Sequence, residues 1–365
     1  MLTRSDGTIS EYEGVRLCDP LDSAVELRRI EVHAPGDLNV WTPIVFEPPA
    51  SSLEARWTPL AAQASHWWHD LHGIDVEASD RGEGVRIGVI DEGLHPAVVS
   101  ELASDRFIYV GALPWREGPH HDGRAYDPIT DHSEWISKIL GAADRSTLPR
   151  SIAPGATLMV ASAANDERGV LDVDRVANAL DFLVAERCDL VMISAGDVLA
   201  QKDIQPLETA MQVGADAGTL CLVAAGNLGG TPLWPAASSS CVSVTAAGLR
   251  GVAPLNSWEA HEESVASDWL TPDLFLCNSS AKGAGVDVVA AGVGIILRQC
   301  DGRMVAVSGT SFACPVATGA LAVKLSGDAD YLCLPRDATR SRYARRVLED
   351  MCEWFPGVAF GWPRL

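Results

Sequence analysis

Four residues, far apart in the chain, have the types and settings that acyl transfer needs. Ser311 lies in Gly309-Thr310-Ser311-Phe312-Ala313-Cys314-Pro315, ahead of a small, apolar, helix-compatible run from Ala313 to Leu325. A serine hydroxyl attacks a carbonyl only when a base takes its proton, and that base needs a carboxylate to orient it. His132 opens HSEWISKILG, which reads as a helix start, and Asp91 closes the apolar run Val85-Arg86-Ile87-Gly88-Val89-Ile90-Asp91. The oxyanion formed on attack needs a fixed donor. Asn227 closes the apolar run Leu220-Cys221-Leu222-Val223-Ala224-Ala225-Gly226-Asn227 with an amide that can donate. Gly309 permits a close backbone approach, and a serine at a helix start meets the positive end of the dipole. Pro315 is expected within the first turn, where its missing N–H costs nothing. Taken alone, Gly-Thr-Ser could equally cap an ordinary core helix.

The elements that must position these residues form an alternating series from residue 84 onward. Apolar strands are expected at Val85–Asp91, Leu158–Ala163, Asp189–Gly196, Leu220–Asn227 and Cys241–Ala246. Between them, Val173, Val176, Ala177, Leu180, Leu183 and Val184 fall at helical spacing. A second helix is expected around Leu207–Asp216, and a last one precedes Phe360-Gly361-Trp362-Pro363. Continuously apolar strands alternating with helices predict an α/β fold with a parallel sheet covered on both faces. Sites in such sheets gather at the carboxyl ends of the strands, where Asp91, Ser194-Ala195-Gly196 and Asn227 all fall.

The chain of 365 residues is 47% hydrophobic and 21% charged, the balance of a globular protein. Its 28 basic and 49 acidic residues give 28 − 49 = −21, which argues against nucleic acid or an anionic membrane as partner. Nine cysteines occur without CxxC pairs and are expected as reduced, mostly buried thiols. Met1-Leu2-Thr3-Arg4-Ser5-Asp6 does not open a secretory signal, and no apolar run reaches membrane-spanning length. A cytoplasmic location is therefore expected. Residues 1–62 read as an N-terminal extension with one or two strands near Val25–Val32, and 63–365 as the main domain. Residues 254–276 read as an acidic insertion, a solvated decoration or one wall of a cleft.

Other histidines compete for roles. His66, His69 and His72 have a spacing that would suit a metal, but a Trp-rich helix docking on the body is the expected reading. His120 and His121, before Asp122 in a Gly- and Pro-rich loop, are alternative bases or metal ligands, but a solvated loop is the expected reading. His132 is favoured because it alone opens an apolar-patterned helix before the Ala-Pro segment. Asp127 and Asp131 read as loop or cap carboxylates. No metal or cofactor is expected.

The order Asp, His, Asn, Ser and the surrounding strings are similar to those of the subtilisin-like serine proteases. VRIGVIDEGLHP at 85–96, SIAPGATLMV at 151–160, ISAG at 193–196, LVAAGN at 222–227, WPAA at 234–237, VDVVAAG at 286–292 and SGTSFACP at 308–315 carry the resemblance, which spans roughly residues 66–365. It implies a three-layer αβα sandwich with a mostly parallel central sheet and endopeptidase activity on a protein or peptide. It further implies Asp91 as orienter, His132 as base, Ser311 as nucleophile and Asn227 at the oxyanion hole. Ser194, Ala195, Gly196, Ala225 and Gly226 would line the substrate cleft. The chain departs from the family pattern where HSEWISK at 132–138 replaces His-Gly-Thr-His-Val-Ala-Gly. Glu92 also stands where a small hydroxyl residue is usual, placing a second carboxylate beside Asp91, and Cys314 replaces a serine. No prodomain of the usual size is evident before residue 63, so narrow specificity, a regulatory partner or the extension would have to limit activity. A peptide-binding scaffold and a peptide cyclase or ligase are the alternative functions.

Overall fold

The computed structural model describes residues 67–113, 131–141, 150–164, 171–196, 201–253, 258–300, 302, 304–355 and 359–365, with five short strands inside residues 1–47. An eight-stranded sheet organises the fold. Its strands are β1 (Arg86–Asp91), β2 (Phe107–Ala112), β3 (Thr157–Ser162), β4 (Leu190–Ile193), β5 (Leu220–Ala224), β6 (Val242–Leu249), β7 (Leu274–Leu276) and β8 (Val288–Ala291). The spatial order is β7-β6-β5-β4-β1-β3-β2, with β8 also pairing with β6. Every pairing is parallel except β6 with β7. The fold class is thus the expected one.

Strand burial explains the continuous apolar runs. Leu190, Met192, Leu220 and Leu222 face one core cluster, while the alternate residues Val191, Ile193, Cys221 and Val223 face the other. Both faces of each central strand must therefore be apolar. The second cluster is closed by α4 (Val173–Ala185) and α5 (Gln201–Asp216). The first is closed by α3 (His132–Leu140) and α7 (Thr310–Ser326). Helix α7 is buried on every side for most of its length, as expected of a helix that is apolar all round. Among the described residues, no helix is long and apolar enough to cross a membrane.

Smaller elements complete the frame: α1 (Trp67–His72), α2 (Pro96–Leu102), α6 (Trp258–Val265), α8 (Ala329–Cys333) and α9 (Ala338–Met351). An antiparallel hairpin, β9 (Ile295–Arg298) with β10 (Met304–Val307), leads directly into α7. A short strand at Val45–Glu47 extends this hairpin, with Phe46 opposite Ala306, and Glu26–Arg28 pairs with it in turn. The strand expected near Val25–Val32 thus corresponds to Glu26–Arg28. Several elements escape sequence pattern, among them α2, β2, β7, β9 and α8. Strand β2 is a half-exposed edge with a register shift between Tyr109 and Gly111, so neither strict alternation nor a continuous apolar run marks it. Helix α5 begins at Gln201, ahead of the expected Leu207, and carries Pro206 inside it.

Candidate active site

Asp91 is the last residue of β1 and is fully buried. His132 is the first residue of α3, and its Nδ1 lies 3.0 Å from each carboxylate oxygen of Asp91. Asp91 Oδ1 also accepts from Ser133 Oγ at 2.7 Å and from the Glu92 N–H at 2.8 Å. These donors hold the carboxylate in one orientation, and the contact with Nδ1 fixes the ring of His132.

The start of α3 is tied down by residues outside it. Asp131, its N-cap, makes no side-chain cap bond. Instead Glu92 Oε1 accepts from the His132 N–H at 3.2 Å, and the Gly93 N–H donates to Ser133 Oγ at 3.1 Å. Burial, and next the negative charge of Asp91, push the Glu92 carboxyl well above the usual carboxylate range, although the His132 N–H opposes them. Glu92 is therefore biased towards the neutral acid, not the second negative charge that its position suggests in the sequence.

The residues that replace glycine and other small residues in α3 build a clasp to the β9–β10 hairpin. Lys138 Nζ lies 2.8 Å from Glu134 Oε1, 3.3 Å from Glu101 Oε1 and 2.7 Å from the Arg298 carbonyl. Burial opposes the Lys138 charge, and the hydrogen bond and charge of Glu134 outweigh it. Glu134 Oε1 also accepts from the Cys300 N–H at 2.7 Å, and Gln299 Nε2 donates to Asp131 Oδ2 at 2.6 Å. The helix carrying His132 is thus pinned to the hairpin that delivers Ser311.

Ser311 is the second residue of α7. Gly309, its N-cap, has φ 143°, and a Cβ there would come within 3.2 Å of Asn227 Nδ2. Asn227 Oδ1 accepts from the Thr310 N–H at 2.9 Å and from Thr310 Oγ1 at 3.1 Å. Thr310 Oγ1 in turn accepts from the Gly226 N–H at 3.1 Å. This relay identifies the oxygen of the Asn227 amide and leaves its NH2 as the outward donor. Pro315 is the sixth residue of α7, beyond the first turn. It cannot donate to the carbonyl of Ser311, and Ser194 Oγ does so instead at 3.1 Å.

Ser194, Ala195 and Gly196 follow β4 directly, and all three are buried. The backbone groups of Ala225 and Gly226 are already engaged. The Ala225 N–H donates to Val244 O and Ala225 O accepts from Leu233, while Gly226 O accepts from Ala281. Ala225 and Gly226 therefore do not offer a free backbone edge. Ser311 is only 2% exposed and His132 fully buried, and His132 Nε2 makes no hydrogen bond. The Phe312 ring lies 5.6 Å from the His132 ring and 6.1 Å from that of Trp135, centroid to centroid.

Helix α6, within the acidic stretch 254–276, turns part of its charge inward. Trp258, Glu259 and Glu262 on α6 are buried. Glu259 Oε1 accepts from Ser308 Oγ at 3.2 Å, three residues before Ser311, and Glu262 Oε2 accepts from the Asn278 N–H at 3.1 Å. A purely solvated decoration is thereby excluded for α6.

Cys314, in the second turn of α7, is fully buried, and burial pushes its thiol above the ordinary range. Eight described cysteines are free thiols. Among the described residues no group of three or more His, Cys, Asp or Glu side chains could hold a metal ion. His69 Nε2 pairs with the Arg150 carbonyl at 2.7 Å, while His72 stacks on Trp362 at 4.4 Å with its Nδ1 2.6 Å from the Pro363 carbonyl. These are docking contacts of α1. His66, His120, His121, Asp122 and Asp127 lie outside the described residues, as does most of the 1–62 extension.

Sequence reasoning passed over Ser133, the Glu92 cap and the Ser194 bond, because each is a contact between segments remote in the chain. Only the motif Gly-Thr-Ser carried a local trace, in Thr310.

Comparison with known proteins adds four likenesses. The model of the subtilase family, peptidase S8, matches residues 82–345. The major intracellular serine protease of Bacillus subtilis is 23% identical over 249 residues, 67% of this chain and 69% of that relative. Among solved structures, fervidolysin from Fervidobacterium pennivorans, a keratinolytic enzyme related to subtilisin, superposes with a TM-score of 0.57 at 16% identity. It covers 82% of this chain, and this chain spans 44% of it. The prenylagaramide maturation protease PagA superposes with a TM-score of 0.55 at 17% identity, covering 79% of this chain and 94% of its own.

Proposed function

Because the chain belongs to the subtilase family and is a serine endopeptidase, we propose that Asp91, His132 and Ser311 are its catalytic triad, with Asn227 as oxyanion donor. In this reading Ser311 Oγ attacks the scissile carbonyl while His132 Nε2 takes its proton, and Asp91 stabilises the imidazolium that forms. The tetrahedral oxyanion is held by the Asn227 NH2 and the amino end of α7. Collapse breaks the C–N bond as His132 returns the proton to the leaving amine. Water, activated by the same histidine, then releases the acyl group. The observation that carries this reading is the double arrangement of one buried ring and one fixed amide. His132 Nδ1 is held by both oxygens of Asp91, and Asn227 Oδ1 is held by Thr310 beside Ser311.

Ser194, Ala195 and Gly196 would pair with the backbone of an extended peptide, and Ala225 and Gly226 would shape the pocket beside it. The burial of Ser311 and His132 supports an enzyme that admits few substrates, limited by narrow specificity, a regulatory partner or the N-terminal extension. Limited proteolysis of one dedicated protein or peptide in the cytoplasm fits that behaviour. It also fits the likeness to a relative named as an intracellular protease and to one named as a maturation protease.

The test is labelling with a fluorophosphonate, read by intact mass. Wild type should gain one adduct on Ser311, and Ser311→Ala and His132→Ala should gain none. Labelling that persists in Ser311→Ala, or peptide hydrolysis unchanged in it, would refute the assignment.

A further inference from the structure

At the amino ends of the sheet strands, opposite the proposed active site, an open cleft of about 570 Å3 is lined by Arg86, Arg187, Arg336 and Arg340. They come from three separate segments: the start of β1, the turn after α4, and the α8–α9 connection with the start of α9. Four guanidiniums around one cleft stand out in a chain of net charge −21. Two carboxylates answer them. Asp189, beneath the cleft and fully buried, takes Arg340 at 2.8 Å and Arg336 at 3.0 Å, and Glu186 lies 3.8 Å from Arg86. Four positive groups against two negative ones leave two charges unbalanced.

The arginines are not equally committed. Arg340 stacks on Tyr331 at 4.1 Å and donates to Asp189, Tyr331 O and Leu334 O, so it is structural. Arg336 NH1 sits at ion-pair distance from Asp189 but makes no hydrogen bond, and Arg86 Nε is buried without a partner. Arg187 is exposed and is the one non-glycine residue with positive φ, 63°, among the described residues. Three guanidiniums with donors to spare thus surround the cleft. Leu332, Leu334 and Pro335 give it an apolar side.

We propose that this cleft binds a small molecule carrying a run of phosphate groups. One carboxylate would engage a single arginine fork, whereas donors spread over three segments match several linked anionic groups. The cleft volume is that of a small-molecule site. A compact ligand lies within roughly 8 Å of the arginines, the screening length at physiological salt. A nucleic acid would extend past them over a chain of net charge −21. The proposal stands independently of the catalytic assignment.

The experiment is titration calorimetry of the full chain at physiological salt with inorganic tripolyphosphate, adenosine triphosphate and a pentaglutamate peptide. Saturable one-to-one binding of tripolyphosphate is expected, weakened about tenfold or more in both Arg336→Gln and Arg187→Gly, since a charge-assisted contact is worth at least that factor. Glycine keeps the left-handed backbone at 187, and Asp189 retains Arg340 and Tyr331 when Arg336 is changed. Thermal melting confirms that both variants fold. Arg342→Gln, outside the cleft, should bind like wild type. Tighter binding of adenosine triphosphate than of tripolyphosphate would support the proposal and assign the apolar side to a nucleoside. No saturable binding of either phosphate compound, binding unchanged in both variants, or binding of pentaglutamate alone would overturn it.

Discussion

Ser194 Oγ donates to the backbone carbonyl of Ser311 at 3.1 Å, filling the place of the helix donor that Pro315 lacks. The proline releases one carbonyl of α7 at the residue proposed as nucleophile, and a side chain from the end of β4 captures it. The bond therefore fixes the distance between the strand that would pair with substrate and the helix that bears Ser311. Ser194→Ala leaves this buried carbonyl without a partner and should destabilise the protein by about 1–3 kcal/mol. In Pro315→Ala the helix recovers its own donor, so the two changes should not add. A double-mutant cycle read by urea unfolding should show coupling of at least about 0.5 kcal/mol. Strict additivity would mean that the two residues do not share the carbonyl.

Asn227 offers a cleaner separation of binding from chemistry. Its oxygen is held by Thr310, so in the proposed oxyanion role its NH2 is fixed before substrate arrives. Removing a preorganised oxyanion donor costs on the order of 10²–10³-fold in kcat. Asn227→Ala should show that loss with KM little changed, in steady-state kinetics on any peptide the wild type cleaves. A change confined to KM would refute the proposed oxyanion role of Asn227.

Glu92 makes stability depend on pH in the opposite sense to a carboxylate whose pKa is lowered by folding. Its carboxyl is raised, first by burial and then by Asp91, so the folded state holds its proton more tightly than the unfolded state. That contribution is complete below the unfolded pKa and is lost as pH rises through the folded one. Glu92→Gln keeps an acceptor for the His132 N–H and removes the titration. Urea unfolding should find Glu92→Gln gaining on wild type between pH 4 and pH 8. Glu92→Ala loses the cap as well, so it should label more slowly with fluorophosphonate than Glu92→Gln.

His72 gives a pH dependence of the other sign. Burial, partly offset by the bond to Pro363, lowers its pKa from 6.5 to about 4. The folded state therefore favours the neutral ring, and stability falls as pH drops from above 6.5 towards 4. Two and a half units correspond to roughly 3 kcal/mol. The stability lost by wild type between pH 7.5 and pH 4 should exceed that lost by His72→Asn by about this amount, in urea titrations at the two pH values. Equal losses would show that His72 is not the buried neutral group.

Much of this protein could be read along the chain. Strand and helix alternate with clear periods, because a parallel sheet covered on both faces needs apolar residues throughout each strand. Asp91, Ser194 and Asn227 each fall at or just beyond the carboxyl end of a strand for the same reason. Their chemical types are local properties, and so is the Gly-Thr-Ser start of α7. Edge strand β2 left a weak trace, since most of its residues are only partly buried. Contacts between remote segments left none. That Glu92 caps a helix forty residues on, that Ser194 serves Pro315 and that Glu259 holds Ser308 follow from packing geometry alone. The replacements Glu134 and Lys138 looked like departures from a motif, yet in the fold they bind the hairpin ahead of Ser311. Likewise the arginines at 86, 187 and 336 are scattered charges in the sequence. They become one positive cleft only because the amino ends of two strands and the α8–α9 connection meet there, and charge acts through space over a few ångströms, not along the chain.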